Sequence, residues 1–162
     1  MKYHKTCYEI KKILDTNNVW FEVFEHKPVR TSEEAAKIRT GYTLHQGAKA
    51  LIVRVKSSGE KRFVMLVVPG DKRLDNKKVK SVLEATDVRF ASETEVKEVT
   101  GGVLPGGVPP FGNLFGLQVY VDPGVLGNKR IVFNAGDRRV SLGMKSEDYF
   151  SLVKPNVVDI AA

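Results

Sequence analysis

Apolar residues recur along this chain with two periods, and the switches between them mark out its elements. Cys7, Ile10, Ile13 and Leu14 stand at helical spacing within residues 3–14, and residues 15–18 supply a polar stop. Val19-Trp20-Phe21-Glu22-Val23-Phe24 then reads as a strand, rich in β-branched and aromatic side chains. After Pro28, Thr31 caps a short helix over 35–39, with Glu34 reaching back to complete a capping box. Residues 41–47 read as a loop. Residues 48–55 and 62–68 form a hairpin that turns at Ser57-Ser58-Gly59-Glu60.

The second half repeats this grammar. Asp75 caps a helix whose inner face carries Val79, Val82 and Leu83, with Leu74 stapled onto Val79. A short strand follows at 87–90. Ser92-Glu93-Thr94-Glu95 is a second capping box, opening a helix that ends before Gly101. Strands are predicted near 117–121, 130–133 and 138–142, the last two joined by a turn at Asn134-Ala135-Gly136-Asp137. Residues 146–153 make a last helix, halted at Pro155, and 157–160 can pair at a sheet edge. The pattern predicts an α/β fold: a mixed, mostly antiparallel sheet, partly barrel-like, flanked by short helices. It contains no repeat and no linker, and 162 residues suit one domain spanning 1–162.

One stretch obeys neither period. Gly101-Gly102-Val103-Leu104-Pro105-Gly106-Gly107-Val108-Pro109-Pro110-Phe111-Gly112 is too rich in Gly and Pro for a helix or a central strand. Such a loop is stiff yet bare, suited to gripping a carbonyl or phosphate oxygen through backbone amides. An ordinary surface connection has the same composition, and the loop alone leaves both readings open.

Composition narrows the setting. A single cysteine, Cys7, precludes an internal disulfide and suits a reducing compartment, so the cytoplasm is the expected location. No apolar run nears the roughly 18 residues of a spanning helix, and no membrane association is expected. The net charge of +7 favours polyanions. The basic residues come in short groups, Lys72-Arg73, Lys77-Lys78 with Lys80, Lys129-Arg130 and Arg138-Arg139, which suit either a nucleic-acid groove or a solvated face.

Several chemistries are set aside. No phosphate-binding G-x-x-x-x-G-K-[ST] and no G-x-S-x-G elbow occurs. His4, His26 and His45 are not spaced as metal ligands, so neither a metal nor a cofactor is expected. Cys7 sits on an apolar helix face and reads as core. Lys49 is the unusual residue: within Gly47-Ala48-Lys49-Ala50-Leu51-Ile52-Val53 it stands at the start of an apolar strand. It either faces a cavity or leans out at the strand end.

These segments together resemble a known family. Glu25-His26-Lys27-Pro28, Thr31-Ser32-Glu33-Glu34-Ala35-Ala36, the Lys49 strand, Val67-Val68-Pro69-Gly70-Asp71, Gly107-Val108-Pro109-Pro110-Phe111-Gly112, Val119-Tyr120-Val121-Asp122 and Phe133-Asn134-Ala135-Gly136 are similar, in order, to the YbaK-type aminoacyl-tRNA editing family. The resemblance implies hydrolysis of the ester joining a mischarged amino acid to tRNA, tRNA-Pro among the candidates. Lys49 falls on the family's required lysine. The substrate loop falls on 107–112, with Gly101, Gly102 and Gly106 drawn in because the Gly/Pro character is doubled here. Asn134, Ala135 and Gly136 complete the substrate contacts, and His26, Thr31 and Asp122 are candidates for the pocket wall. A ribose hydroxyl of the substrate is expected to help activate water, so no protein nucleophile is expected. Mischarged tRNA is the implied partner, with an aminoacyl-tRNA synthetase as a second. A non-catalytic tRNA- or synthetase-binding module and a hydrolase of small esters or nucleotides remain open beside this reading.

Overall fold

A computed structural model describes residues 2–162. The first helix, α1 (Lys5–Thr16), buries Cys7, Ile10 and Leu14, as their spacing requires. It is followed by β1 (Phe21–Glu25), α2 (Ser32–Ile38), β2 (Ala48–Ser57) and β3 (Glu60–Pro69). Then come α3 (Asn76–Val82), β4 (Asp87–Phe90), α4 (Glu93–Thr100), β5 (Val119–Val121) and α5 (Pro123–Leu126). The chain closes with β6 (Arg130–Asn134), β7 (Val140–Lys145), α6 (Ser146–Val153) and β8 (Asn156–Val157).

The strands divide between two sheets. One has the order β1-β7-β6 and is antiparallel throughout; the other has the order β4-β2-β3-β5-β8. In the larger sheet β5 runs parallel to both β3 and β8, while β2 pairs antiparallel with β3 and β4. An isolated bridge between Gly47 and Val132 ties the two sheets together at the start of β2.

Alternation along the β2–β3 hairpin builds two cores. Ala48, Ile52, Met65 and Val67 face the layer that holds α1, β6 and β7, with Phe111, Phe133 and Tyr149 at its centre. Val53, Val55, Val64, Leu66 and Val68 face the other way, onto Val79 and Leu83 of α3 and onto Ile160. A strand buried on both faces needs side chains that are apolar at every position, and β3 supplies them from Val64 to Val68.

The expected helix caps form at three starts. Thr31, Asp75 and Ser92 each accept an amide hydrogen bond at the start of a helix, and Ser92 with Glu95 forms a complete capping box. At α2 the box is only half made: the Glu34 carboxylate accepts from the Arg30 amide and not from Thr31. Val82 is a correction, since it stands at the exposed end of α3 while Val79 and Leu83 point inward. The turn after β6 also runs longer than four residues, because the pairing ends at Asn134 and Ser141. Its carboxylate explains why. Asp137 accepts from the backbone and guanidinium of Arg139 and from the amide of His4, tying the turn to the entry of α1. Those donors, Arg139 foremost, hold the Asp137 carboxyl down at about 2.

Candidate active site

Where the start of β2 meets the cap of α2 and the Gly/Pro loop, a cavity of about 370 Å³ opens. Thr31, Glu33 and Ala35 form one wall, and Gly47 with Ala48 to Leu51 at the start of β2 forms another. Gly70, at the end of β3, lies opposite Gly47, and Gly106 and Val108 bring in the loop. Phe133 and Asn134 close it from the end of β6. Segments more than 100 positions apart in sequence therefore converge on one hollow.

Lys49 lines this cavity and does not simply lean away at the strand end. Its Nζ donates to the carbonyl of Lys72 at 2.7 Å, and no carboxylate lies within salt-bridge distance among the described residues. Partial burial lowers its pKa, with Glu33 and Asp71 pulling the other way. The group is a cation held at the rim by one neutral acceptor, with N–H donors left over.

The loop splits into parts with different duties. Gly101 closes α4 in the left-handed conformation. Gly107 is engaged internally: its amide donates to Leu104 and its carbonyl accepts from Gly136. Pro109, Pro110, Phe111 and Gly112 are buried. Phe111 packs on Phe133 and Tyr149, whose hydroxyl donates to the Pro110 carbonyl at 2.7 Å. A Cβ on Gly112 would stand 2.6 Å from Val119 Cγ2, so this glycine exists for packing. Only Gly106 and Val108 reach the cavity, and neither of their amides donates to another protein group among the described residues.

The same cavity is lined by a group that the sequence pattern does not reveal. Arg39 follows the last turn of α2 and is only 7% exposed, with no carboxylate beside it among the described residues. Its Nε donates to Ser141 Oγ at 2.9 Å and one terminal nitrogen donates to Asn134 Oδ1 at 3.0 Å. That fixes the Asn134 amide, whose Nδ2 donates to the Gly106 carbonyl at 2.6 Å. Burial lowers the guanidinium pKa to about 10, so it remains charged at neutral pH. A basic residue at a helix C-terminus is common and usually solvated, which is why Arg39 carried no signal of its own.

His26 supports this group from behind. Its Nδ1 donates to the carbonyl of Lys27 at 2.8 Å, and its Nε2 lies 2.8 Å from Ser141 Oγ, which is also 3.2 Å from Asn134 Oδ1. The pair does not make a nucleophile, because Ser141 is fully buried. Ala135 is buried as well, and Gly136 packs against Thr6. Asp122 stands away from the cavity: it caps α5, and its other oxygen accepts the amides of Ile160 and Ala161. Gly102, Gly107 and Gly136 line a separate hollow of about 420 Å³ with His4 and Arg138. Arg138 is itself committed there, clamping the carbonyl of Pro105. Cys7 is sealed in the core, where burial pushes its thiol up to about 11.

The aminoacyl-tRNA editing domain model matches residues 26–152, which takes in the whole cavity. The chain belongs to this editing family. Among its relatives, the multifunctional Ser/Thr-tRNA deacylase ProXp-y of Escherichia coli K12 is 33% identical over 148 residues, 91% of this chain and 87% of that protein. The prolyl-tRNA editing protein ProX of Acetoanaerobium sticklandii is 26% identical over 147 residues, covering 88% and 87% of the two chains. A solved structure described as a candidate trans-editing enzyme for prolyl tRNA synthetase superposes with a TM-score of 0.81 at 25% identity, over 99% of both chains. The editing family thus accounts for the mixed α/β fold, and no helix among the described residues is long and apolar enough to cross a membrane.

Proposed function

We propose that this protein is a trans-editing aminoacyl-tRNA deacylase that receives the charged 3′ end of tRNA in the Lys49 cavity, with serine and threonine esters as substrates. Membership of the editing family carries the reaction class, and the name of the Escherichia coli relative supports the amino acids. The observation that carries the site is the convergence of Lys49, Gly106 and Val108 on one hollow. An aminoacyl ester is already activated, so holding it in place and stabilising the developing oxyanion supply much of the rate. The unpaired amides of Gly106 and Val108 are the donors for that oxygen, and the Lys49 ammonium meets the terminal phosphate or the same oxyanion. Among the described residues neither cysteine nor histidine lines the cavity; Thr31 and Ser32 bring hydroxyls to it, and that of Thr31 accepts the Glu34 amide. The resemblance to the editing family implies attack by a water that the substrate's own ribose hydroxyl helps to activate.

The partner is mischarged tRNA, and a prolyl-tRNA synthetase is the second partner to test. On this reading Lys72-Arg73, next to the Lys49 rim, and Lys77 and Lys80 further along the chain give the phosphate backbone its contacts, while Lys78 is held by Asp159 and the Ala161 carbonyl. Turnover of charged tRNA is expected to weaken steeply between about 50 and 200 mM salt, as counterion release requires, while a small aminoacyl ester is turned over slowly and without that dependence. Comparing both substrates across salt checks this. Equal turnover of the small ester would make the protein a general esterase, and salt-independent turnover of the tRNA would remove the backbone contacts.

A further inference from the structure

Arg39 is out of place unless something else occupies the cavity with it. A guanidinium has five N–H donors, and the protein uses one on Ser141 and one on Asn134. Its other terminal nitrogen, Nη1, finds no acceptor among the described residues and lies 3.8 Å from where a Cβ on Gly47 would stand. It is not sealed in. The buried side-chain polar atoms without a partner are Tyr42 Oη and Arg54 Nε among the described residues, so the free donors of Arg39 meet solvent, and the cavity is the solvent they meet. Gly47 and Gly70 face each other here with their Cα atoms close, and a Cβ on either would crowd the Leu44 carbonyl, at 3.1 and 2.5 Å, beside the Arg39 head.

We infer that Arg39 is the specificity-determining residue of the cavity, donating through Nη1 to the side-chain hydroxyl of the amino acid being removed. This rests on the reading of the cavity as an aminoacyl-ester site. The rest of the arrangement serves it. Ser141, itself bonded to His26, and Asn134 hold the guanidinium in one plane, which leaves the free edge at a fixed angle. A side chain lacking an oxygen leaves a buried cation short of an acceptor, and that penalty is the discrimination. A lysyl or arginyl group is repelled by the same charge. An alkyl group of equal shape fits the space and fails on the hydrogen bond.

Threonine and valine are nearly isosteric, so one pair of esters on the same tRNA isolates the hydroxyl. Wild-type protein is expected to deacylate the threonyl ester on the order of 30-fold faster than the valyl ester in single turnover, the scale of one hydrogen bond to a charged donor. Arg39→Met is expected to bring that ratio near unity. Arg39→Lys, which keeps a cation but loses the planar fork, is expected to recover only a small part of it. Thermal melting separates a folding defect from a change in ratio, and the wild-type ratio needs no variant at all. A wild-type ratio near one overturns the inference. So does a ratio that survives in both variants while all rates fall together, which would make Arg39 only a brace for Asn134 and the loop. If wild-type protein cleaves no aminoacyl-tRNA of any kind, it is the deacylase reading itself that fails.

Discussion

Replacing Lys49 with methionine is expected to leave the protein folded and to slow deacylation on the order of 100-fold, the scale of one lost oxyanion-type contact. The stem of Lys49 leaves β2 on the face that carries Leu51 and Val53, at the end of the second core, and methionine can cover the same surface. What it cannot supply is the charge. Lys49 is anchored only by the Lys72 carbonyl, and losing that single bond at the rim costs little stability. Arginine is not expected to rescue the rate, because its bulkier planar head presents its donors elsewhere. Single-turnover rates and melting temperatures of the two variants check this. Near-normal turnover by the methionine variant removes Lys49 from the chemistry. A large fall in melting temperature makes it a structural residue.

The second large effect separates two glycines that look alike in sequence. Gly112→Val is expected to cost on the order of 2–4 kcal/mol of stability, because the new Cβ meets Val119 Cγ2 at 2.6 Å and the Leu117 carbonyl at 3.1 Å in a packed interior. Gly106→Val meets little: the nearest atom is Arg138 Nε at 3.5 Å. Its φ of +87° adds strain of about 1–2 kcal/mol for a residue with a side chain. That residue lines the cavity and carries a free amide, so turnover is expected to fall at least tenfold, well beyond what the lost stability explains. Urea midpoints and deacylation rates for both variants settle the division. A stable Gly112→Val protein, or a Gly106→Val protein with full activity, would contradict it.

That division shows where sequence reading stops. The substrate loop expected at 107–112 reaches the cavity through Val108 alone, which is a matter of register. Composition gives every glycine in 101–112 the same freedom, and only the fold shows that Gly107 is bonded to Leu104 and Gly136 while Gly112 is jammed against Val119. Caps and alternating strands were legible because they are local: Thr31, Asp75 and Ser92 sit within three residues of the amides they satisfy. Lys49 was legible because a cation in an apolar strand breaks the local pattern. Arg39 breaks none. Its partners Ser141 and Asn134 lie 102 and 95 positions away, and nothing near Arg39 announces that its head is buried. Asp122 is likewise placed by distant partners: besides capping α5 it serves the amides of Ile160 and Ala161, brought to it by the β5–β8 pairing.

Residual charging measures directly whether the cavity removes a wrong amino acid from tRNA. Purified protein is incubated with tRNA carrying serine, threonine, alanine, cysteine or proline, and the surviving ester is followed with time. The seryl and threonyl esters are expected to disappear fastest, with cognate prolyl-tRNA spared and the Lys49→Met protein leaving the charged pool nearly intact. Persistence of every ester at the uncatalysed rate, with the tRNA still bound, would make this a tRNA-binding module and contradict the account.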